Sequence, residues 1–352
     1  MYKIDFNHPC SLYFVGIGGV SMSALAQLLA DAGFQVAGSD RSPSALTRKL
    51  EDMGITVYYG QRRENITETI QCVIFTGAIL PDNPEYQAAH EKNLPCLTRG
   101  QLMGQIMQHY HTPIAVSGTH GKTTTTSMVS EILLHANLDP TLTVGGVLKD
   151  IEGNIRIGHS GYFVAEACEY TNSFLDFFPK IGLILNIGED HLDFFKDLED
   201  IRHSFREFAR LLPEDGCLII NGEIQRLEEI TEGLRCPVVT FGLSEACDYH
   251  ATGITYDGFG RPTFTLRDRK GGSRTVSLSV PGEHNVCNAL AALALADWLA
   301  IDSTVTDSAL HGYTGPARRF EYKGTIGGVA IVDDYARRAA ELTATRYAAA
   351  NS

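Results

Sequence analysis

The stretch Val116-Ser-Gly-Thr-His-Gly-Lys-Thr-Thr-Thr125 decides the architecture. Before it, Pro113-Ile-Ala-Val116 reads as a buried strand; after it, Thr124 to Ala136 reads as a helix. A glycine loop between strand and helix turns several backbone N–H groups on one point beside a helix N-terminus, an arrangement that binds phosphate. Lys122 is placed to reach the β- and γ-phosphates of a nucleotide, and Thr123 to offer its hydroxyl to Mg²⁺. The longer pattern G-x-x-x-x-G-K-[ST] asks for glycine where this chain has Val116, so the match is to the shorter G-T-x-G-K-T form.

The same edge of a parallel sheet collects the C-termini of the neighbouring strands. Glu166 ends the strand Tyr162–Ala165 and is expected to share a Mg²⁺ with Thr123, with Glu169 close by. The strand Ile181–Leu185 ends in Asn186-Ile-Gly-Glu-Asp-His-Leu-Asp193, which brings Asn186, Asp190 and His191 to that edge. His191 suits a second metal ion or a substrate carboxylate, and Asp190 equally suits a helix N-cap. Apolar spacing predicts a helix from His191 to Leu212, a hairpin around Lys270-Gly-Gly272 and a helix from Val286 to Leu299.

The first hundred residues alternate strand and helix signals. Leu12–Val15 leads into Gly16-x-Gly18-Gly19-x-Ser21, with Asp40 about twenty residues on, and this resembles a dinucleotide fingerprint with serine at the third glycine. NAD(P), another nucleotide diphosphate, or a tight turn without ligand all fit that pattern. Near Gly315 a third unit begins, with a strand at Gly328–Asp333.

Composition sets the outer limits. The 352 residues suit two to three domains, and 44% hydrophobic with 20% charged residues is ordinary globular usage. The balance 29 − 42 = −13 argues against binding nucleic acid through its phosphates. No apolar run is long enough for a membrane span, Ala289–Ala300 being broken by Asp297. The N-terminus shows no secretory h-region, which points to the cytoplasm. The eight cysteines are scattered without a C-x-x-C pair, so reduced, mostly buried thiols are expected. Nothing in the sequence speaks to oligomeric state.

The blocks Val116–Thr125, Ala165-Glu-Ala-Cys-Glu-Tyr170, Asn186–Asp193, Pro281-Gly-Glu-His-Asn-Val-Cys-Asn288 and Ala317-Arg-Arg-Phe320 occur in the order of the Mur ligases, a family this chain resembles over nearly its whole length. The resemblance implies three α/β domains. Residues 1–106 form a Rossmann-like domain for UDP, 107–314 a P-loop-type domain for ATP and Mg²⁺, and 315–352 the start of a third, Rossmann-like domain. It implies that Gly18, Gly19, Asp40 and Thr76-Gly-Ala78 hold the UDP part of a sugar nucleotide, so the glycine turn serves UDP and not NAD. Gly118, Thr119, His120, Gly121, Lys122, Thr123 and Thr124 would hold ATP, with Asn288 and Arg319. His120 and Arg318 would contact the sugar acid, while Thr123, Glu166 and His191 hold metal. Lys122, Glu166 and His191 are the implied catalytic residues.

The opening Val15-Gly-Ile-Gly-Gly-Val-Ser-Met-Ser23 is similar to that of members acting on UDP-N-acetylmuramate and L-alanine. The implied reaction activates the lactyl carboxylate as an acyl phosphate, which the amine of L-alanine displaces; a relative that adds a peptide or another amino acid is the near alternative. The family continues Asp-Asp-Tyr with a small residue, His, His and Pro, whereas this chain continues Asp333-Asp-Tyr-Ala-Arg-Arg-Ala339. That departure carries the expectation of a truncated third domain, and of a chain that binds UDP-sugar and ATP with little or no turnover.

Overall fold

The computed structural model describes residues 2–77, 79–148, 151, 153–316, 321–326 and 329–334. Two compact units result: Met1–His109 with Thr171–Phe178, and Tyr110–Tyr170 with Pro179–Ser352.

The first unit runs β1 (Ser11–Val15), α1 (Val20–Asp31), β2 (Gln35–Asp40), α2 (Ala45–Asp52), β3 (Thr56–Tyr59), β4 (Cys72–Phe75), α3 (Pro84–Glu91), β5 (Cys96–Thr98) and α4 (Arg99–Met107). The strands make one parallel sheet in the order β3-β2-β1-β4-β5. β1 and β4 lie at its centre and are buried nearly throughout, which explains their unbroken apolar runs. Gly38 on β2 is required by packing, because a Cβ there would stand 2.4 Å from the Phe14 carbonyl oxygen. Segment 171–178 belongs to this unit through α4: Arg99 Nη2 donates to Ser173 Oγ at 3.2 Å, and Gly104 lies directly against the Asp176 carbonyl.

A buried carboxylate ties the unit together. Glu85 is fully buried and accepts from Tyr13 Oη (2.9 Å), Ser39 Oγ (2.6 Å) and Asn65 Nδ2 (2.6 Å). Glu85→Ala leaves three donors without their acceptor, two of them on buried residues. We expect it to cost about 2–4 kcal/mol, read as a lower urea midpoint at unchanged slope.

The second unit runs β6 (Thr112–Ser117), α5 (Lys122–His135), β7 (Thr141–Leu148), β8 (Gly153–Arg156), β9 (Tyr162–Ala167), β10 (Ile181–Ile184), α6 (Leu198–Arg210), β11 (Cys217–Asn221), α7 (Leu227–Thr231), β12 (Val238–Gly242), β13 (Tyr249–Tyr256), β14 (Pro262–Arg267), β15 (Ser273–Ser277), α8 (Glu283–Trp298) and α9 (Ser303–Gly312). Its sheet has the order β15-β14-β13-β12-β11-β10-β6-β9-β7-β8. The strands from β13 to β7 are parallel, and the outer pairs at both ends are antiparallel. α8 carries apolar residues all round and is buried from Ala289 to Ala296 within the core cluster that also holds Met128, Val129, Ile132 and Leu133 of α5. All eight cysteines are free, and burial pushes the Cys72, Cys217 and Cys287 thiols up to about 12.

Four sequence expectations change. The helix expected from His191 starts only at Leu198, because the Asp197 side chain accepts from Asp200 N and caps α6 there. Asp190 is therefore no helix cap; its carboxylate takes the His191 N–H in a turn where His191 has φ 52°. The helix expected from Val286 begins at Glu283, so His284 and Asn285 lie inside α8, behind the cap residue Gly282. Beyond Gly315 the described residues form an antiparallel pair, β16 (Glu321–Ile326) with β17 (Val329–Asp333), of which the sequence showed only the second strand. Ala78, Arg318, Arg319 and everything after Asp334 lie outside the described residues.

Candidate active site at the phosphate loop

Gly118 (φ +145°) and Gly121 (φ +83°) bend the loop between β6 and α5 into shapes that side chains resist. A Cβ on Gly118 would stand 2.9 Å from Leu185 Cβ, and one on Gly121 would stand 2.5 Å from Asn288 Oδ1. The loop is fastened from the β10 side. Thr119 N donates to the Asn186 carbonyl (3.1 Å), while the Asn186 side chain accepts from His120 N (2.8 Å) and donates to the His120 carbonyl (3.0 Å). Thr119 Oγ1 and Gly188 N pair at 2.9 Å. With the loop so held, α5 opens at Lys122 without a side-chain cap. The first-turn N–H groups of Lys122, Thr123 and Thr124 have no carbonyl within the helix to bind. Such groups make up the positive end of a helix, which suits an anion.

The structure brings Thr123 and Glu166 together. Thr123 Oγ1, in the first turn of α5, donates to Glu166 Oε2 of β9 at 3.2 Å, and Gly145 N of β7 donates to Glu166 Oε1 at 2.6 Å. A side chain at Gly145 would strike Glu166, since a Cβ there would lie 2.6 Å from Oε2. Oxygen donors of this kind fit a hard divalent cation. Lys122 Nζ donates to Glu169 Oε2 (2.9 Å), to the Thr119 carbonyl (3.2 Å) and to the Gly118 carbonyl. His191 stacks on Tyr170, ring centroids 4.5 Å apart, and Tyr170 Oη donates to Asp193 Oδ2 at 2.9 Å. Glu169, Asp190 and His191 carry ligand-type atoms within 4.8 Å of one another.

Asn288 lies behind the loop. It is 7% exposed, accepts from Thr125 Oγ1 (3.2 Å) and donates to Asn285 Oδ1 (3.1 Å). In the first unit, Gly18 N donates to Asp40 Oδ2 at 2.8 Å, and Gly19 caps α1 without a side chain. Thr76 packs against Gly16, where a Cβ would meet its Cγ2 at 2.8 Å. Sequence reasoning did not assign Gly145, or the holding role of Asn186. The Gly145-Gly146 pair inside a strand was the available signal. Among the described residues no helix is long and apolar enough to cross a membrane.

A glycine loop at a helix N-terminus, a threonine–glutamate pair and a histidine–carboxylate cluster lie on one sheet edge, an arrangement that suits a nucleotide-dependent enzyme. Family models agree: the Mur ligase family catalytic domain matches residues 11–111 and the Mur ligase middle domain matches 116–296. The chain belongs to the Mur ligase family. It is 52% identical over 349 residues to the UDP-N-acetylmuramate–L-alanine ligase of Agathobacter rectalis, covering 99% of this chain and 76% of that protein. The ligase of the same name from Lachnospira eligens is 53% identical over 352 residues, covering 100% and 77%. Among solved structures, the UDP-N-acetylmuramate–alanine ligase of Thermotoga maritima superposes with TM-score 0.85 at 29% identity, over 97% of this chain and 77% of that one. A murein peptide ligase from Psychrobacter arcticus gives TM-score 0.82 at 27% identity, over 97% and 76%.

Proposed function

We propose that this chain is an ATP- and Mg²⁺-dependent ligase of peptidoglycan precursor synthesis, working in the cytoplasm, that joins L-alanine to the lactyl carboxylate of UDP-N-acetylmuramate. The observation that carries this reading is the Lys122, Thr123 and Glu166 constellation at the phosphate loop, in a chain 52% identical to a ligase of that name. Bound Mg·ATP supplies the phosphoryl group that turns the carboxylate into an acyl phosphate, from which the alanine amine displaces phosphate.

The chain's own part is electrostatic. Carboxylate and triphosphate are both anions, so their approach is repulsive. Lys122 and the first-turn N–H groups of α5 offset that repulsion with fixed positive charge. Thr123 and Glu166 would hold a divalent cation that supplies positive charge to the phosphates, and His191 would hold a second. His120 and Arg318 orient the sugar acid; Asn288 and Arg319 serve ATP. Gly18, Gly19, Asp40 and Thr76 receive UDP. The net charge of −13 does not oppose this, because the cations act inside the site.

The test follows ¹⁸O from a labelled lactyl carboxylate, with binding of UDP-N-acetylmuramate and of an ATP analogue measured in parallel. Binding of both, with ¹⁸O appearing in phosphate as the amide forms, supports the ligase. Binding of both without ¹⁸O release supports the narrower reading that the departure at Ala336-Arg-Arg-Ala339 suggests, a binding unit that does not turn over. Absence of binding contradicts both.

A further inference from the structure

Glu169 is 1% exposed, and its two oxygens have unlike surroundings. Oε2 accepts from Lys122 Nζ at 2.9 Å. Oε1 has no hydrogen-bond partner and faces His191 Nε2 at 3.9 Å. A buried carboxylate oxygen left idle is costly, and its neighbourhood with Asp190 and His191 has the donor set of a cation site. Lys122, for its part, is folded back on its own loop. Its three N–H donors go to Glu169 and to the carbonyls of Gly118 and Thr119.

On the reading above, nucleotide phosphate must draw the ammonium away from one of these acceptors. Glu169 is the only charged one, and a buried carboxylate whose cation leaves needs another. We propose that Glu169 is a positioning residue that exchanges partners. It holds Lys122 back while phosphate is absent, and gives its charge to a divalent cation beside His191 and Asp190 once Lys122 moves onto phosphate. Nucleotide and that cation then each tighten the binding of the other, as linkage requires.

The test uses the whole chain, a fluorescent ATP analogue, and Mn²⁺ followed by its electron paramagnetic resonance signal. A charged hydrogen bond is worth enough to move these affinities about tenfold. Glu169→Gln should bind the analogue about tenfold more tightly than the wild type without divalent cation. It should also need about tenfold more Mn²⁺ for half-maximal binding with it. Lys122→Ala should take up Mn²⁺ about tenfold more tightly without nucleotide, and adding His191→Ala should cancel the gain; this arm stands even if Glu169→Gln fails to fold. If Glu169→Gln shifts both affinities in the same direction or neither, or Lys122→Ala gains no Mn²⁺, the exchange is wrong. A wild type that binds no nucleotide at any Mn²⁺ concentration would instead overturn the nucleotide-site reading itself.

Discussion

Lys122→Ala should lower the affinity for Mg·ATP at least about a hundredfold. The ammonium sits at the mouth of α5, and two charge-assisted hydrogen bonds to phosphate oxygens are together worth about 3 kcal/mol or more. The same change removes the counter-charge of Glu169, which is 1% exposed. The variant is therefore expected to lose stability as well, and nucleotide titrations belong well below its melting temperature. Lys122→Arg separates the two effects: it keeps a cation for Glu169 but offers a planar fork in place of a compact point charge. It should recover most of the stability and little of the affinity. Near-wild-type nucleotide binding by Lys122→Ala would mean that this loop is not the phosphate site.

Gly104→Ala should destabilise the first unit by about 3 kcal/mol, the upper range for overpacking. In an ordinary helix interior the exchange would stabilise by up to about 1 kcal/mol, because glycine is a poor helix former. Here the added Cβ would lie 1.9 Å from the Asp176 carbonyl oxygen and 3.2 Å from Phe178 Cδ2. Either α4 or segment 171–178 must then move. The single tryptophan, Trp298, lies in the other unit, so far-ultraviolet circular dichroism in urea is the suitable readout. A gain in stability would show that α4 and the segment do not approach closely.

The legible parts of the sequence were those in which local chemistry alone sets the structure. The loop Gly118–Thr124 is legible because its glycines take positive φ between a strand and a helix. Glu166 could be placed from its position at a strand end, because adjacent parallel strands in register bring Val116 opposite Glu166. What stayed hidden depends on contacts distant in sequence. Strands β7 and β8 lack a clean alternation, and their Gly145 matters only because Glu166 folds against it. Asn186 reads as one polar residue after a strand; its two bonds to the His120 backbone exist only once β10 lies beside β6. The start of α6 was misplaced because Leu192 and Phe195 continue the helical period into a turn. Leu192 is in fact 58% exposed while Phe195 is buried, so the two do not share a face. Segment 171–178 joins the first unit through the small surface of Gly104, which no hydrophobic period reports.

On the proposed function, the loop Gly118–Thr124 with Glu166 forms a Mg·ATP site. The most direct measurement is a titration of the chain with a fluorescent ATP analogue, with and without Mg²⁺, in the wild type and in Glu166→Gln. Mg²⁺ should strengthen binding to the wild type about tenfold or more, as expected for a cation shared by protein and phosphate oxygens. Most of this gain should be lost in Glu166→Gln. Binding that ignores Mg²⁺, or a Glu166→Gln variant that keeps the full Mg²⁺ effect, would contradict that reading.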